Sequence, residues 1–570
     1  MKKLRVLATA FACATASAVG ALAAQPAAPV ASPVPGKVLH AFLSTGETGL
    51  DPAVASDLAS LSLLENLFDP MLRYDYAARP VKLVPNSLRE MPVSDASGTV
   101  WTFHLKPGMH FSDDPAFKGK KREVTAADYK YAIERLFDPA LKSPWLFMFE
   151  GKLADMRVLD KYTLRITLKA PDPSFLFYLA LPATGAVARE VAEAYGSQMG
   201  NHPVGSGPFV IEEWKRSDKI TLAANKDYHQ VWQGQRLPLV DKVEVKIMEE
   251  YQSRVLGFLN GEFDFIEQVP ESMRDMVLDP ASAQPLLKKE LAGRGMVLSP
   301  FPVLQTYYMW MNMDDPVIGG YGKDKVALRR AIALGYNSPE DIALLKKGLA
   351  LPAQSPLPPN VLGYDPAYRS PISYNPKLAR ALLDRYGYKL GKDGYRRQPN
   401  GQPLALLMHS EPTMVGRLRD ELWRKNLAAL GIRVSFKTDK KTEIIKASRL
   451  GKVQMFETNW IADFPDGDNF FQLLYGPNSS RANYARFNLP DYNSRYEKAR
   501  LLVDGPERQQ LYREMNQLIH AYNPWVLLIH PISADIQQPW LKNYKRHPVE
   551  LTNWRYLDID RKSNIAPSLH

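Results

Sequence analysis

The chain has 570 residues, 45% hydrophobic and 23% charged, a globular composition long enough for two or three domains rather than one core. Its formal charge of +11 is a modest excess for this length. Neither basic cluster, Lys118 to Arg122 around Gly119 or the mixed-sign run Lys437 to Lys446, is interleaved with aromatics as a single-strand nucleic-acid groove requires, so no nucleic-acid partner is expected.

The first 23 residues read as a secretory signal peptide. Lys2, Lys3 and Arg5 precede an apolar run from Val6 to about Gly20, and Ala21-Leu22-Ala23 supplies the small residues of a cleavage site. That run is shorter than the ~20 residues that span a bilayer, which argues against a membrane anchor. Cys13, the only cysteine, lacks the small-residue approach of a lipoprotein site, and its loss with the signal leaves no disulfide, Cys-ligated zinc or thiol nucleophile. The mature chain keeps three positive charges fewer, +8, and export to the periplasm is expected. Residues 24–36, rich in Pro and Ala, read as a flexible leader.

Trp101, Phe103 and Leu105 alternate with Thr102, His104 and Lys106, the period of a half-buried strand, which Pro107-Gly108 ends. Thr125 with Asp128 three residues on predicts a capped helix, with Tyr129, Ala132, Ile133 and Leu136 on one face. Leu164, Ile166 and Leu168 mark another strand. Asn375 as cap, Pro376 in the first turn and Gly387 after the end punctuate a second helix, whose apolar face reads as Leu378, Ala381 and Leu382. In the next helix Val415, Leu418, Leu422 and Ala429 read as the apolar face, before Gly431 and a strand through Ile432, Val434 and Phe436. Helices and strands intermingle throughout, which predicts an α/β protein.

Enzyme motifs are missing: no Gly-x-Ser-x-Gly elbow, no His-Glu-x-x-His helix and no phosphate loop. The ten histidines, His104 and His110 included, do not pair at metal-ligand spacing, and Asp463, Asp466 and Asp468 lack the closing Glu of a calcium loop. No catalytic residue, metal or cofactor is expected. What remains is an acid between aromatics: Trp460 and Phe464 flank Asp463 in Asn459-Trp460-Ile461-Ala462-Asp463-Phe464-Pro465-Asp466, followed by Asn469-Phe470-Phe471. A carboxylate in apolar surroundings needs a cationic or hydrogen-bonding partner, so Asp463 reads equally as a ligand anchor or as a turn cap. Tyr307, Tyr308 and Trp310 read as cleft lining or as core.

Ordered motifs add a resemblance. Leu83-Val84-Pro85-Asn86-Ser87-Leu88, Trp101 to Gly108, Phe111-Ser112-Asp113 and Val124 to Tyr129 are followed by Gly205-Ser206-Gly207-Pro208-Phe209, Asn225-Lys226-Asp227-Tyr228 and Gly261-Glu262-Phe263-Asp264. Then come Tyr307 to Asn312, Leu328-Arg329-Arg330-Ala331 and the Asp463 segment. In this order they resemble the extracellular solute-binding proteins of family 5, the oligopeptide- and dipeptide-binding components of bacterial ABC importers.

The resemblance implies a two-lobed periplasmic binding protein of type II-like fold with an additional inserted domain. Domain I is expected at 37–76, 205–302 and 526–570, the inserted domain II at 77–204 and domain III, the second lobe, at 303–525. It implies a monomer that closes on a peptide or peptide-like ligand and docks on an ABC permease complex in the inner membrane. Asp463 would pair with the ligand's α-ammonium, with Trp460, Phe464, Gly207 and Tyr307 completing the ligand-binding set. Glu457 stands where related chains can carry a basic residue for a ligand carboxylate, which shifts the expectation towards cationic or non-peptide ligands. A secreted hydrolase of small substrates, or a periplasmic chaperone or sensor, are the alternatives.

Overall fold

The computed structural model describes residues 36–282 and 284–560. The expected signal peptide and, apart from Gly36, the 24–36 leader lie outside them. No described helix is long and apolar enough to cross a membrane.

Three sheets organise the chain. The first runs in the order Val38–Leu43, Lys242–Ile247, Lys219–Ala224, Phe209–Lys215, its first pair parallel and the others antiparallel. Leu39 and Ala41 alternate inward with Val243, Val245, Ile220 and Leu222, and this face buries Leu63, Leu64 and Leu67 of the helix Leu58–Leu67. The second is antiparallel, in the order Val93–Ser94, Val100–His104, Thr163–Leu168, Leu153–Asp160. Its inward Phe103, Leu164 and Ile166 pack on the helix Ala126–Arg135, where the Asp128 carboxylate accepts from the Thr125 backbone N–H at 2.7 Å, as the spacing predicts.

The third sheet joins two halves through one long strand, Trp525–Gln537. Trp525 to Ile529 lies antiparallel to Gln305–Met311, and Ile529 to Pro531 to Ala350–Pro352. Ile532 to Gln537 pairs instead with Val297–Pro302 and, on its other side, Phe265–Ile266. Beyond Gln305–Met311 the sheet continues through Met455–Ile461, Ala405–Ser410 and Arg433–Thr438. Strand partners therefore change at two neighbouring places, Val303-Leu304 and Pro531-Ile532, and Val303 N–H donates to the Pro531 carbonyl at 3.2 Å.

Two helices form where expected but turn different faces inward. In Pro376–Arg385, capped by Asn375 accepting from Leu378 N–H, the buried residues are Ala379 and Leu383, while Leu378 and Ala381 are exposed. In Met414–Ala428 the buried face is Arg419, Leu422, Trp423, Asn426 and Leu427, and Val415, Leu418 and Ala429 face out. That second face is apolar at Leu422, Trp423 and Leu427 and also carries Arg419, whose guanidinium lies 2.8 Å from the buried Asp341 carboxylate and 3.3 Å from Glu457.

Candidate functional site

The site grows from the end of the strand Met455–Ile461. Pairing of Ile461 with Gln305 and of Asn459 with Tyr307 brings the Asp463 segment beside Val303-Leu304, and Ala462 N–H donates to the Leu304 carbonyl. Pro465 then turns the chain into the short helix Asp468–Phe471. Asp466 makes that turn: its carboxylate accepts from Asp468 N–H at 2.8 Å and its carbonyl from Asn469 N–H. The capping role weighed for Asp463 thus belongs to Asp466, which is held bidentately by Arg508 at 2.7 Å on both oxygens.

Asp463 does something else. Its side chain is exposed to a cavity of about 1330 Å³ walled by both lobes and the inserted domain. The fully buried Asn469 amide aligns it, donating from Nδ2 to the carboxylate at 2.9 Å while Oδ1 accepts from Asp463 N–H at 3.1 Å and from Trp460 Nε1 at 2.8 Å. Among the described residues no lysine, arginine or histidine nitrogen lies within 4.0 Å of this carboxylate. An oriented anion without a protein cation, facing a ligand-sized cavity, suits a cationic group.

The other expected site residues divide. Phe464 lines the cavity and stacks on Phe177 of the inserted domain at 6.3 Å, so the two walls touch through aromatic faces. Tyr307 also lines it, with Lys346 Nζ 4.8 Å from its ring centroid. Trp460 is absent from the wall; half-buried against the second-lobe core, it is a strut for Asn469. Gly207 is not at the cavity either. Its N–H donates to the Leu67 carbonyl, and a Cβ there would sit 2.6 Å from the Asn66 oxygen, so this glycine serves the close approach of two backbone segments. Tyr308 and Trp310 are core, at 3% and 1% exposure.

Glu457 lies off the main cavity, in an adjoining one of about 360 Å³ that shares Glu271, Tyr307 and Lys346 with it. It is committed internally, accepting from Trp423 Nε1 at 2.7 Å and paired with Arg419, and burial raises its carboxyl. Asn469 and Phe177 had no recognisable signal: an amide six residues from the acid it orients, and an aromatic from a distant domain, are joined only by folding. Among the described residues no group of three or more His, Cys, Asp or Glu side chains is placed to hold a metal.

On the first-lobe wall, Glu65 accepts from the backbone N–H groups of Leu551 and Thr552, both at 3.0 Å. Burial, with Glu550 adding repulsion, pushes its carboxyl up to about 8. The folded state thus retains a proton that the unfolded chain releases near 4.5, so this contribution is complete below 4.5 and is lost as pH rises through about 8. The melting temperature of the ligand-free protein should accordingly fall between about pH 6 and pH 9, and Glu65→Gln should flatten the fall. Equal slopes for both proteins in scanning calorimetry would contradict this.

Comparison with known proteins agrees with this architecture. A family model described as bacterial extracellular solute-binding proteins, family 5 middle, matches residues 82–482. Di/tripeptide-binding protein 2 of Pseudomonas aeruginosa is 28% identical over 509 residues, 85% of this chain and 88% of the relative. The glutathione-binding protein GsiB of Escherichia coli is 26% identical, covering 85% and 86%. Among solved structures, HbpA2 from Haemophilus parasuis superposes with a TM-score of 0.77 at 19% identity, over 92% of this chain and all of that one. The fold is that of the two-lobed periplasmic binding proteins.

Proposed function

The chain belongs to the bacterial extracellular solute-binding proteins of family 5, and from that membership we propose that it captures short peptides or peptide-like solutes in the periplasm and delivers them to the permease of an ABC importer. The observation that carries the ligand class is the Asp463 carboxylate, aligned by Asn469 on the wall of the interlobe cleft with no cation of its own among the described residues. A peptide α-ammonium supplies the missing charge. The relatives that bind di- and tripeptides and glutathione support the same class.

In this reading Tyr307 and Phe464 are wall, Trp460 acts through Asn469, and strand-end backbone groups pair with an extended ligand. We divide the chain into domain I at 37–76, 205–302 and 532–570, domain II at 77–204 and domain III at 303–531, which moves the expected boundary at 525/526 to the change of strand partner. Val303-Leu304 and Pro531-Ile532 are the hinges. Ligand that touches both lobes favours the closed form by its differential affinity, and the closed monomer docks on the permease without a cofactor.

Mass spectrometry of material released from gently purified protein, followed by calorimetry with the peptides found, tests the proposal. Release of a short peptide that rebinds in a one-to-one ratio is expected; retention of a non-peptide solute, with no binding of di- or tripeptides, would overturn it. Turnover of the peptides would favour a secreted hydrolase instead, and binding of unfolded chains or a membrane receptor a chaperone or sensor.

A further inference from the structure

The cleft is chemically two-sided. At one side stands Asp463. Another stretch of the wall follows the helix Leu58–Leu67, where Leu58, Leu61 and Glu65 all line the cavity. Their spacing puts them on one face over roughly 10 Å at 1.5 Å per residue. The inserted domain docks at the start of this helix: Trp145 Nε1 donates to the Ala55 carbonyl at 2.9 Å and Ser143 Oγ to the Ala53 carbonyl at 2.6 Å. These bonds bring Trp145, Phe147 and Met148 to the same stretch of cavity, and Leu551, whose N–H is held by Glu65, extends it. Leu58 and Phe147 are 69% and 63% exposed, large apolar surfaces turned towards a ligand cleft.

Four cations of the cleft are paired with carboxylates. Lys152 lies 2.8 Å from Asp172, Lys346 2.6 Å from Glu271, Arg508 2.7 Å from Asp466 and Arg546 3.2 Å from Asp535. Arg274 donates to the Lys346 carbonyl at 3.1 Å. Lys169 and Arg500 are exposed side chains, where an ion pair contributes little. Beside these groups the wall presents the apolar side chains of Leu58, Leu61, Trp145, Phe147, Met148 and Leu551.

Building on the peptide reading above, we propose that Leu58, Leu61, Trp145, Phe147, Met148 and Leu551 form an apolar specificity subsite, and that the cleft selects short peptides with a free amino terminus and a bulky apolar side chain. The ammonium is held at Asp463 and the side chain is buried against this wall.

The test is calorimetry with trialanine and the three tripeptides that carry one phenylalanine in place of each alanine in turn. Burying one large apolar side chain is expected to tighten binding about tenfold to a hundredfold over trialanine for at least one position. The ratio of the two affinities should fall towards one in the Leu58→Asn, Phe147→Asn double variant. Both positions are exposed, and Phe147→Asn alone serves where the double variant does not fold. Equal affinities of all four peptides for the unaltered protein, or a ratio that survives the substitutions, would overturn the subsite while leaving the peptide reading standing. Failure of all four to bind would overturn the peptide reading and the subsite with it.

Discussion

Asp463→Ala is expected to weaken binding of an amino-terminal ligand by ~2–5 kcal/mol, roughly thirtyfold to a few thousandfold, because the ammonium then stays in the closed cleft without its counter-charge. Asp463→Asn separates charge from shape. It keeps a side chain of the same size within reach of Asn469, so for a peptide with a free amino terminus it should lose nearly as much as the alanine variant. For an N-acetylated peptide it should change little. The ligand-free variants should melt close to the unaltered protein, because the Asp463 carboxylate takes its hydrogen bond from one side chain, Asn469, while the backbone turn depends on Asp466. Unchanged calorimetric affinity in both variants would sink the anchor role, and a large drop in melting temperature with unchanged affinity would return Asp463 to a structural one. Asn469→Ala sits between these outcomes. It releases both the carboxylate and Trp460 Nε1, so it should cost affinity and stability together.

Asp463 was legible because an acid beside two aromatics is a local pattern, and the ordered motifs placed that pattern in a family. The strands at Phe103 and Leu164 and the capped helix after Thr125 were legible for the same reason: period, cap and turn residues all lie within a few positions. What failed was the inference from apolar stripe to buried face. Leu418 and Val415 look like core, but the helix buries Arg419 and Asn426 beside Leu422, Trp423 and Leu427, and Arg419 there meets Asp341 and Glu457, which arrive from other elements. The glycine at 207 enters the expected ligand-binding set only through the resemblance; its neighbour is backbone from the end of the helix Leu58–Leu67. The apolar wall at Leu58 and Phe147 and the stack of Phe177 on Phe464 join segments far apart in the chain, and no single-sequence pattern encodes such a meeting.

Arg508→Ala is the largest expected stability loss. Arg508 and Asp466 are 2% and 5% exposed, joined by two 2.7 Å bonds, and Arg508 Nε also donates to the Ala499 carbonyl at 3.0 Å. Removing the arginine leaves a carboxylate buried without a cation, which costs ~3–5 kcal/mol in such pairs. Arg508→Lys should recover only part, since an ammonium cannot span both carboxylate oxygens and still reach Ala499. In a chain of several domains the loss belongs to the unfolding transition of the second lobe, so the measurement is the denaturant midpoint of that transition by tryptophan fluorescence. A midpoint unmoved by Arg508→Ala would show the pair to be energetically inert. The comparison with Asp463 gives the experiment its meaning. Two carboxylates three residues apart share one loop; the one that finds its cation inside the protein should govern stability, and the one that does not should govern affinity. Combined in one chain, Arg508→Ala and Asp463→Asn should therefore add in stability, but should couple in affinity, because loosening Asp466 also displaces the turn from which Asn469 aligns Asp463.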